Sequence, residues 1–358
     1  MLSLACQKAW VKWGSTTSEQ FELLNGSGQG RCCSPLFWSL YLLPLLARLR
    51  DLGYGCHILS LFIGFIVYAD DILLLCPCRY AATRMLKVCE IWSNEYHIEF
   101  STDENPVKSK TKVIIVKHRN GKLINIAPLT LYGKQLPTVK SGDYLGQTIT
   151  QEGSMEEDAR IRKAIFSRKA RETLDDLHFA QPEQKLQAVK KLNCDHYGSN
   201  SWNFESVRSQ QFFNTWRTLV RVAYNVDRTT HKYVVDSLSG DMTSIKTDVF
   251  SRYIKFTKSL ERSPSHEVRS IYQMMKQDRR TSTGNNLHII ERILGKDPHK
   301  ISYSNLRAYL HEANTTMVPE QNVESMEIIR ELLEARRQPQ TKEEYKEIED
   351  NLFLLGCT

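Results

Sequence analysis

Hydrophobic and polar positions along the chain predict short strands first and helices later. Between residues 65 and 75, two apolar runs, Phe65-Ile66-Val67-Tyr68 and Ile72-Leu73-Leu74-Leu75, enclose Asp70 and Asp71. Runs rich in β-branched and aromatic residues, broken by a polar pair, predict a β-hairpin whose turn carries both carboxylates on buried, rigid flanks. Upstream, 5–13 reads as amphipathic or strand-like, 14–18 as a polar turn, and 21–24 as a strand running into the glycine-rich loop 25–30. An apolar helix follows over 36–49, with Ser34 as its cap and Pro35 in its first turn. Residues 81–97 carry Met85, Val88, Cys89, Trp92 and Tyr96 at helical spacing, which marks a core-facing stripe. Short strands are predicted over 113–116, 129–131, 134–136 and 144–149, around turns at Gly133 and Gly142. From residue 155 the period becomes helical, over 155–177, 184–192, 206–222, 246–260 and 267–278, with Phe212, Phe213, Trp216, Leu219 and Val220 as an apolar stripe. Two mixed amphipathic helices, 326–337 and 342–355, close the chain around Pro339.

The 358 residues, 41% apolar and 25% charged, describe a globular chain of two or three domains, neither disordered nor fibrous. A net charge of +7 is compatible with a polyanionic partner without identifying one. The balance is uneven: residues 320–350 hold ten acidic and five basic side chains, leaving 43 Lys and Arg against 31 Asp and Glu elsewhere. Nine scattered cysteines, including Cys32-Cys33 and Cys76-Pro77-Cys78, do not form a secreted disulfide framework and point to a reducing intracellular compartment, nuclear or cytoplasmic. Neither Cys76-x-Cys78 nor Cys194-x-His196 has the spacing and second pair of a zinc site, so no structural zinc is expected. The apolar stretches 36–47 and 58–69 are about 12 residues each, short of the ~20 that span a bilayer. No membrane insertion is expected, and residues 1–12 lack the charge order of a cleavable signal.

Two adjacent carboxylates raise each other's pKa unless a cation intervenes, and a hard divalent ion with oxygen ligands does that. The expected ion is Mg²⁺. Strand alternation points Asp70 and Asp71 to opposite faces, which favours Asp70 as the direct ligand; the plainer reading of the pair alone is a solvated turn. The loop Asn25-Gly26-Ser27-Gly28-Gln29-Gly30 precedes a helix start, where backbone N–H groups can hold a phosphate or a nucleotide. It matches neither the dinucleotide nor the Walker pattern, and alone it reads as an ordinary strand-to-helix connection. In 155–177, Arg160, Arg162, Lys163, Arg168, Lys169 and Arg171 are interleaved with apolar residues, with no acid between 160 and 171. They are expected to form a basic helix face that tracks phosphates, against the alternative of a solvated face. Arg217, Arg221, Arg228, Lys232 and Asp278-Arg279-Arg280 make the later helices basic enough to touch nucleic acid.

Together, the segment from Asn25 through Gln29-Gly30 and Ser34-Pro35 to Tyr41, then Tyr68-Ala69-Asp70-Asp71, then Phe100 to Lys112 with Lys108-Ser109-Lys110, closely resembles the reverse transcriptase of non-LTR (LINE-type) retrotransposons. Tyr144-Leu145-Gly146 resembles that family's block after the palm. Asp195-His196-Tyr197-Gly198-Ser199 with Trp202 is similar to a C-terminal segment of invertebrate elements, and the resemblance runs over roughly residues 8 to 300. It implies that Gln29, Gly30, Ser34 and Pro35 line the template and incoming-nucleotide site, that Tyr68, Asp70 and Asp71 form the catalytic hairpin with Asp70 as metal ligand, and that Lys108 and Lys110 belong to the next palm segment. One of those lysines approaches the triphosphate, or all of them are a solvated strand end.

In that family, nucleotidyl transfer uses a pair of divalent ions and several converging carboxylates. Members take one essential aspartate from a strand well before the Gln-Gly block, whereas here only 28 residues precede Gln29 and none is Asp. The fingers and an endonuclease domain are missing with it, so the chain reads as the C-terminal part of a reverse transcriptase with little or no activity of its own. The expected architecture is α+β: a partial palm with an antiparallel sheet over 1–150, a thumb-like segment over 151–200, a helical domain over 201–300 and an acidic helical tail over 301–358. Expected partners are an RNA template, a DNA primer and deoxynucleoside triphosphates, with Mg²⁺ or Mn²⁺ as cofactor. The alternative is a non-catalytic nucleic-acid-binding remnant.

Overall fold

Short ribbons in the first third give way to helices thereafter, as the change of hydrophobic period requires. The structure is a computed structural model that describes residues 7–23, 32–103, 105–117, 122–123, 125–193, 196–240, 242–314, 323–336 and 341–354. The chain divides into two compact units, Met1–Val113 with Asn125–Val139, and Ile114–Ile124 with Lys140–Thr358.

The first unit begins with a ribbon in which β1 (Gln7–Ala9) pairs with β4 (Phe21–Leu23), and β2 (Lys12–Trp13) with β3 (Thr16–Thr17). Helix α1 (Ser34–Leu52) starts two residues earlier than its apolar pattern suggests. Cys33 rather than Ser34 is its N-cap, without a side-chain cap bond, because Ser34 and Pro35 already occupy the first helical turn. Gly53, at φ 68°, ends it in the left-handed conformation that glycine adopts without strain. Then come β5 (His57–Ile58) with β6 (Leu61–Phe62), β7 (Phe65–Tyr68) with β8 (Asp71–Leu74), and helix α2 (Arg79–Tyr96). Its core face is the predicted one: Met85, Cys89 and Trp92 are buried, with Val88 and Tyr96 partly so. A further ribbon, β9 (Thr130–Leu131) with β10 (Lys134–Gln135), caps α2 through a small cluster of Leu129, Leu131 and Leu136.

The β-branched run 113–116 is not a regular strand. Val113 makes one bridge, to Thr138, while Lys117 donates its backbone N–H to Gln151, so the run is divided between two short segments instead of lying along one edge. Every sheet among the described residues has two strands. Among the described residues, the antiparallel sheet expected over 1–150 is therefore a set of separate two-stranded ribbons in an α+β chain.

In the second unit, β11 (Ser141–Tyr144) pairs with β12 (Gln147–Thr150) around Leu145-Gly146; Gly142, the expected turn, lies inside β11. The helices α3 (Glu156–Asp176), α4 (Pro182–Asn193), α5 (Val207–Phe213), α6 (Thr215–Tyr224), α7 (Lys232–Leu238), α8 (Ile245–Glu261), α9 (His266–Gln277), α10 (Ser282–Leu294), α11 (Tyr303–Asn314), α12 (Val323–Ala335) and α13 (Lys342–Leu354) follow. The single helix expected over 206–222 is two, broken at Asn214. Ser206, Ser244, Ser265 and Thr281 cap their helices by accepting a backbone N–H three residues on, satisfying donors that a helix start leaves open. One hydrophobic core runs from Ala159 to Leu352, centred on Trp202, Phe204, Phe212, Phe213, Trp216, Phe250 and Tyr253. Leu306, Leu310, Met326, Ile329, Leu333, Ile348 and Leu352 of the last three helices are buried in it.

Candidate active site

The hairpin of β7 and β8 is in register Phe65 with Leu74, Ile66 with Leu73, Val67 with Ile72 and Tyr68 with Asp71. Directly opposed residues share a face. Phe65, Val67, Ile72 and Leu74 therefore turn inward, against Leu42, Leu45 and Leu49 of α1 and Met85, Cys89 and Trp92 of α2. Asp71 lies on the outer face across from Tyr68, and Asp70 sits in the turn beside Ala69. Ala69 takes φ 51°, a conformation that costs a non-glycine residue about 1–2 kcal/mol.

The base of the ribbon is clamped as well. Leu75 donates its N–H to Gly64 O at 2.7 Å, and Cys56 donates to Leu75 O at 2.8 Å. Gly55 and Gly64 are packed so closely that a Cβ on Gly64 would lie 2.7 Å from Gly55 Cα and against the Phe62 ring. Behind the ribbon, α1 and α2 are joined by aromatic contacts of Tyr41 with Trp92 and Tyr96, and by the Tyr41 hydroxyl, which donates to Tyr96 O at 2.6 Å. The tip is thus a short turn on a packed, doubly anchored stem.

Tyr68, Asp70 and Asp71 are exposed at that tip. Neither carboxylate has an ion pair or hydrogen bond among the described residues. The other predicted site residues fall as follows. Ser34 and Pro35 form the first turn of α1; Gln29 and Gly30 lie outside the described residues. Lys108, Lys110 and Lys112 are all exposed, while Ser109 between them is buried and donates to Thr111 O at 2.6 Å. The expected alternation is present, but on a turn-and-loop segment instead of a strand. Hydrogen bonds from Thr111 N to Ser101 O and from Asp103 N to Ser109 Oγ pin it.

The donor set can be tested against a divalent-ion pair. No group of three or more His, Cys, Asp or Glu that could hold a metal occurs among the described residues. Two adjacent carboxylates supply part of an oxygen shell, whereas such an ion takes six or more ligands and a two-ion site needs carboxylates from several directions. The described residues do not make a complete two-ion site.

The basic residues of α3 are not gathered on one face. At about 100° per residue, Arg160, Arg168 and Arg171 fall on one flank of the buried stripe, and Arg162 and Lys169 on the other. Arg160 pairs with Glu157 at 2.6 Å and Arg168 with Glu172 at 2.9 Å, so an acid outside 160–171 answers each. Arg162 bonds Gly146 O and lies over the Tyr197 ring. Lys163, Lys169 and Arg171 have no ion pair among the described residues.

Arg162 belongs to an arrangement that sequence reasoning missed. Asp158, 1% exposed, accepts from Trp202 Nε1 at 2.8 Å and from Thr148 N at 3.3 Å, and lies 3.7 Å from Arg162 Nε. The Tyr197 hydroxyl donates to Leu145 O at 2.5 Å. Gly198, at φ 79°, brings the backbone within 3.0 Å of Asp158 Oδ2, measured from the Cβ it lacks. The Tyr144-Leu145-Gly146 turn and the 196–202 segment, fifty residues apart, therefore dock on one buried carboxylate. Nothing in the spacing of Asp158 distinguishes it from its neighbours Glu156 and Glu157.

Residues 3–149 match the family model for reverse transcriptase (RNA-dependent DNA polymerase). The matched span contains the Asp70-Asp71 hairpin, Ser34, Pro35, Lys108 and Lys110, and ends before α3. Reverse transcriptases act on a nucleic-acid template and primer with deoxynucleoside triphosphates, and generally use divalent metal ions. No curated protein matches the chain. Among the described residues no helix is long and apolar enough to cross a membrane.

Proposed function

We propose that the chain is the palm-to-thumb part of a non-LTR (LINE-type) retrotransposon reverse transcriptase, and that Asp70, with Asp71 beside it, is its contribution to the metal-binding site of RNA-directed DNA synthesis. The observation that carries this reading is a pair of exposed, unpaired, adjacent carboxylates on a rigid two-stranded stem, inside the span similar to reverse transcriptases. Residues 1–150 correspond to the palm in this reading, and 151–200, with α3 and α4, to the thumb. Ser34 and Pro35 at the head of α1, together with Gln29 and Gly30, would line the nucleotide and template, and Lys108 and Lys110 the triphosphate side.

Mg²⁺, with Mn²⁺ as its substitute, is the ion this reading implies. Because two carboxylates do not fill a two-ion site, we assign no reaction step through the metal to this chain alone and expect polymerase activity to be very weak or absent. The purified chain, given an RNA template, a DNA primer, labelled deoxynucleotides and Mg²⁺ or Mn²⁺, should extend no more primer than Asp70→Ala does. Extension abolished by Asp70→Ala would overturn the expected inactivity and keep the enzyme. Iron-directed hydroxyl-radical cleavage provides the second reading: backbone cuts at 68–72 that vanish in Asp70→Ala support an ion-holding tip, and their absence refutes one. The unpaired Lys163, Lys169 and Arg171 favour the second reading, a nucleic-acid-binding remnant without turnover.

A further inference from the structure

A cationic cleft lies between the C-terminal half of α6 and the start of α7, in the second unit and outside the residues that match the reverse-transcriptase family model. It encloses about 400 Å³ and is lined by Arg221, Thr229, Thr230, His231, Lys232 and Tyr233.

Its floor is the Arg221 guanidinium, which makes no ion pair among the described residues. Arg221 donates from one terminal nitrogen to Thr230 O at 2.9 Å, while its buried Nε has no hydrogen-bond partner. The two nearby acids are committed elsewhere. Asp236 takes a two-pronged bond from Arg217, both contacts at 2.7 Å, and Asp227 accepts the Thr229 N–H at 2.7 Å and the Thr229 hydroxyl at 2.6 Å. Burial, and then the neighbouring Arg217, lower the pKa of Arg221 against the opposing pull of Asp236 and Asp227. Lys232 is exposed at the rim and has no ion pair among the described residues.

The wall is aromatic. The exposed His231 ring stacks on Tyr233, with centroids 5.6 Å apart and planes 12° from parallel, which leaves an outer ring face toward solvent. A half-buried guanidinium suits a phosphate. A stacked, solvent-facing ring beside it suits a nucleobase, and basic groups combined with aromatic platforms are how proteins hold unpaired nucleic acid.

We propose that this cleft binds one nucleotide of a single-stranded nucleic acid, with its phosphate on Arg221 and Lys232 and its base against the His231–Tyr233 stack. The site stands on residues separate from the Asp70 hairpin, so it can fail without that reading failing, and the reverse holds too.

The test uses the full chain and a short fluorescein-labelled oligouridylate, with oligothymidylate of equal length in parallel to separate RNA from DNA. His231→Ala should weaken binding about 5- to 150-fold, the range for loss of one stacking platform. Lys232→Gln should reduce the log–log salt slope by about 0.7, the value for one phosphate on a single strand. Both residues are exposed, so neither change threatens the core, and circular dichroism should be unaltered. Arg262→Gln, an exposed arginine not lining the cleft, serves as the charge control and should alter affinity less than twofold. Photocrosslinking of thiouridine-substituted strand should map to 229–233. Wild-type affinity in both cleft variants, equal losses in the control, crosslinks that avoid 229–233, or preferential binding of a polyglutamate peptide would each overturn the proposal.

Discussion

Asp158→Ala is the substitution that weighs most directly how the second unit is held together. The carboxylate is 1% exposed and serves the Trp202 indole at 2.8 Å and the Thr148 peptide N–H at 3.3 Å, while facing Arg162. Removing it strands two buried donors, each at a cost of about 1–3 kcal/mol, and takes the counter-charge from a largely buried arginine. Arg162 keeps its bond to Gly146 O and its place over Tyr197, so its share is less than that of a fully orphaned charge. The sum is about 3–5 kcal/mol. Asp158→Asn keeps one acceptor oxygen but turns an N–H₂ toward a donor or the arginine, and should cost about 1–2 kcal/mol. Urea unfolding followed by tryptophan emission gives the free energies, and amide exchange over 141–150 reports whether the β11–β12 ribbon loosens. A change below about 1 kcal/mol in Asp158→Ala, or unchanged exchange in the ribbon, would refute the claim that this carboxylate joins the two segments.

Gly64→Ala forces a Cβ to within 2.7 Å of Gly55 Cα, where backbone must move; a loss of about 1–3 kcal/mol in thermal unfolding is expected, against a few tenths if the contact is soft. Burial pushes the Cys89 thiol up to about 12 and the Cys76 thiol up to about 11. Iodoacetamide at neutral pH should therefore modify the exposed Cys32, Cys33 and Cys78 and spare these two in the folded chain, as peptide mapping would show. For Glu261, burial raises the carboxyl, but hydrogen bonds from His299 at 3.0 Å and Lys276 at 3.1 Å outweigh it and hold it below its usual 4.5. A depressed carboxylate stabilises above its unfolded pKa and loses that contribution as pH falls through the folded value. Acid unfolding measured below pH 4.5 should thus become less steep in Glu261→Gln.

The hairpin was legible because its two apolar runs alternate at the period of a strand and bracket a polar pair. The α2 stripe and the cluster of Phe212, Phe213, Trp216, Leu219 and Val220 were legible for the same reason at the helical period, and all five are buried. Pattern failed where the outcome depended on a neighbour. The run 113–116 has strand composition but no single edge to lie along, and Gly142 has turn composition but sits mid-strand because Leu145 and Gly146 adopt the left-handed pair. Helices α7, α10 and α11 went unassigned. In α10 the capping Thr281 and closing Gly295 were available as signals, but Gly284, Asn285 and Asn286 dilute its period. The basic residues of α3 were countable in sequence, yet their division between two flanks, and the acids that neutralise some of them, needed the helix. Asp158 and the His231–Tyr233 stack became visible only with tertiary structure.

The docking of Tyr197 and Arg162 on the Leu145-Gly146 turn has a practical bearing on how this chain can be divided. The match to the reverse-transcriptase family model ends at Ile149, inside β12, one residue short of the end of that strand. A fragment trimmed there would keep the turn and discard the arginine, tyrosine and buried carboxylate that grip it. The smallest piece worth producing in isolation extends beyond Trp202, because the last ribbon within the recognisable stretch is locked in place by residues that the recognisable stretch does not contain.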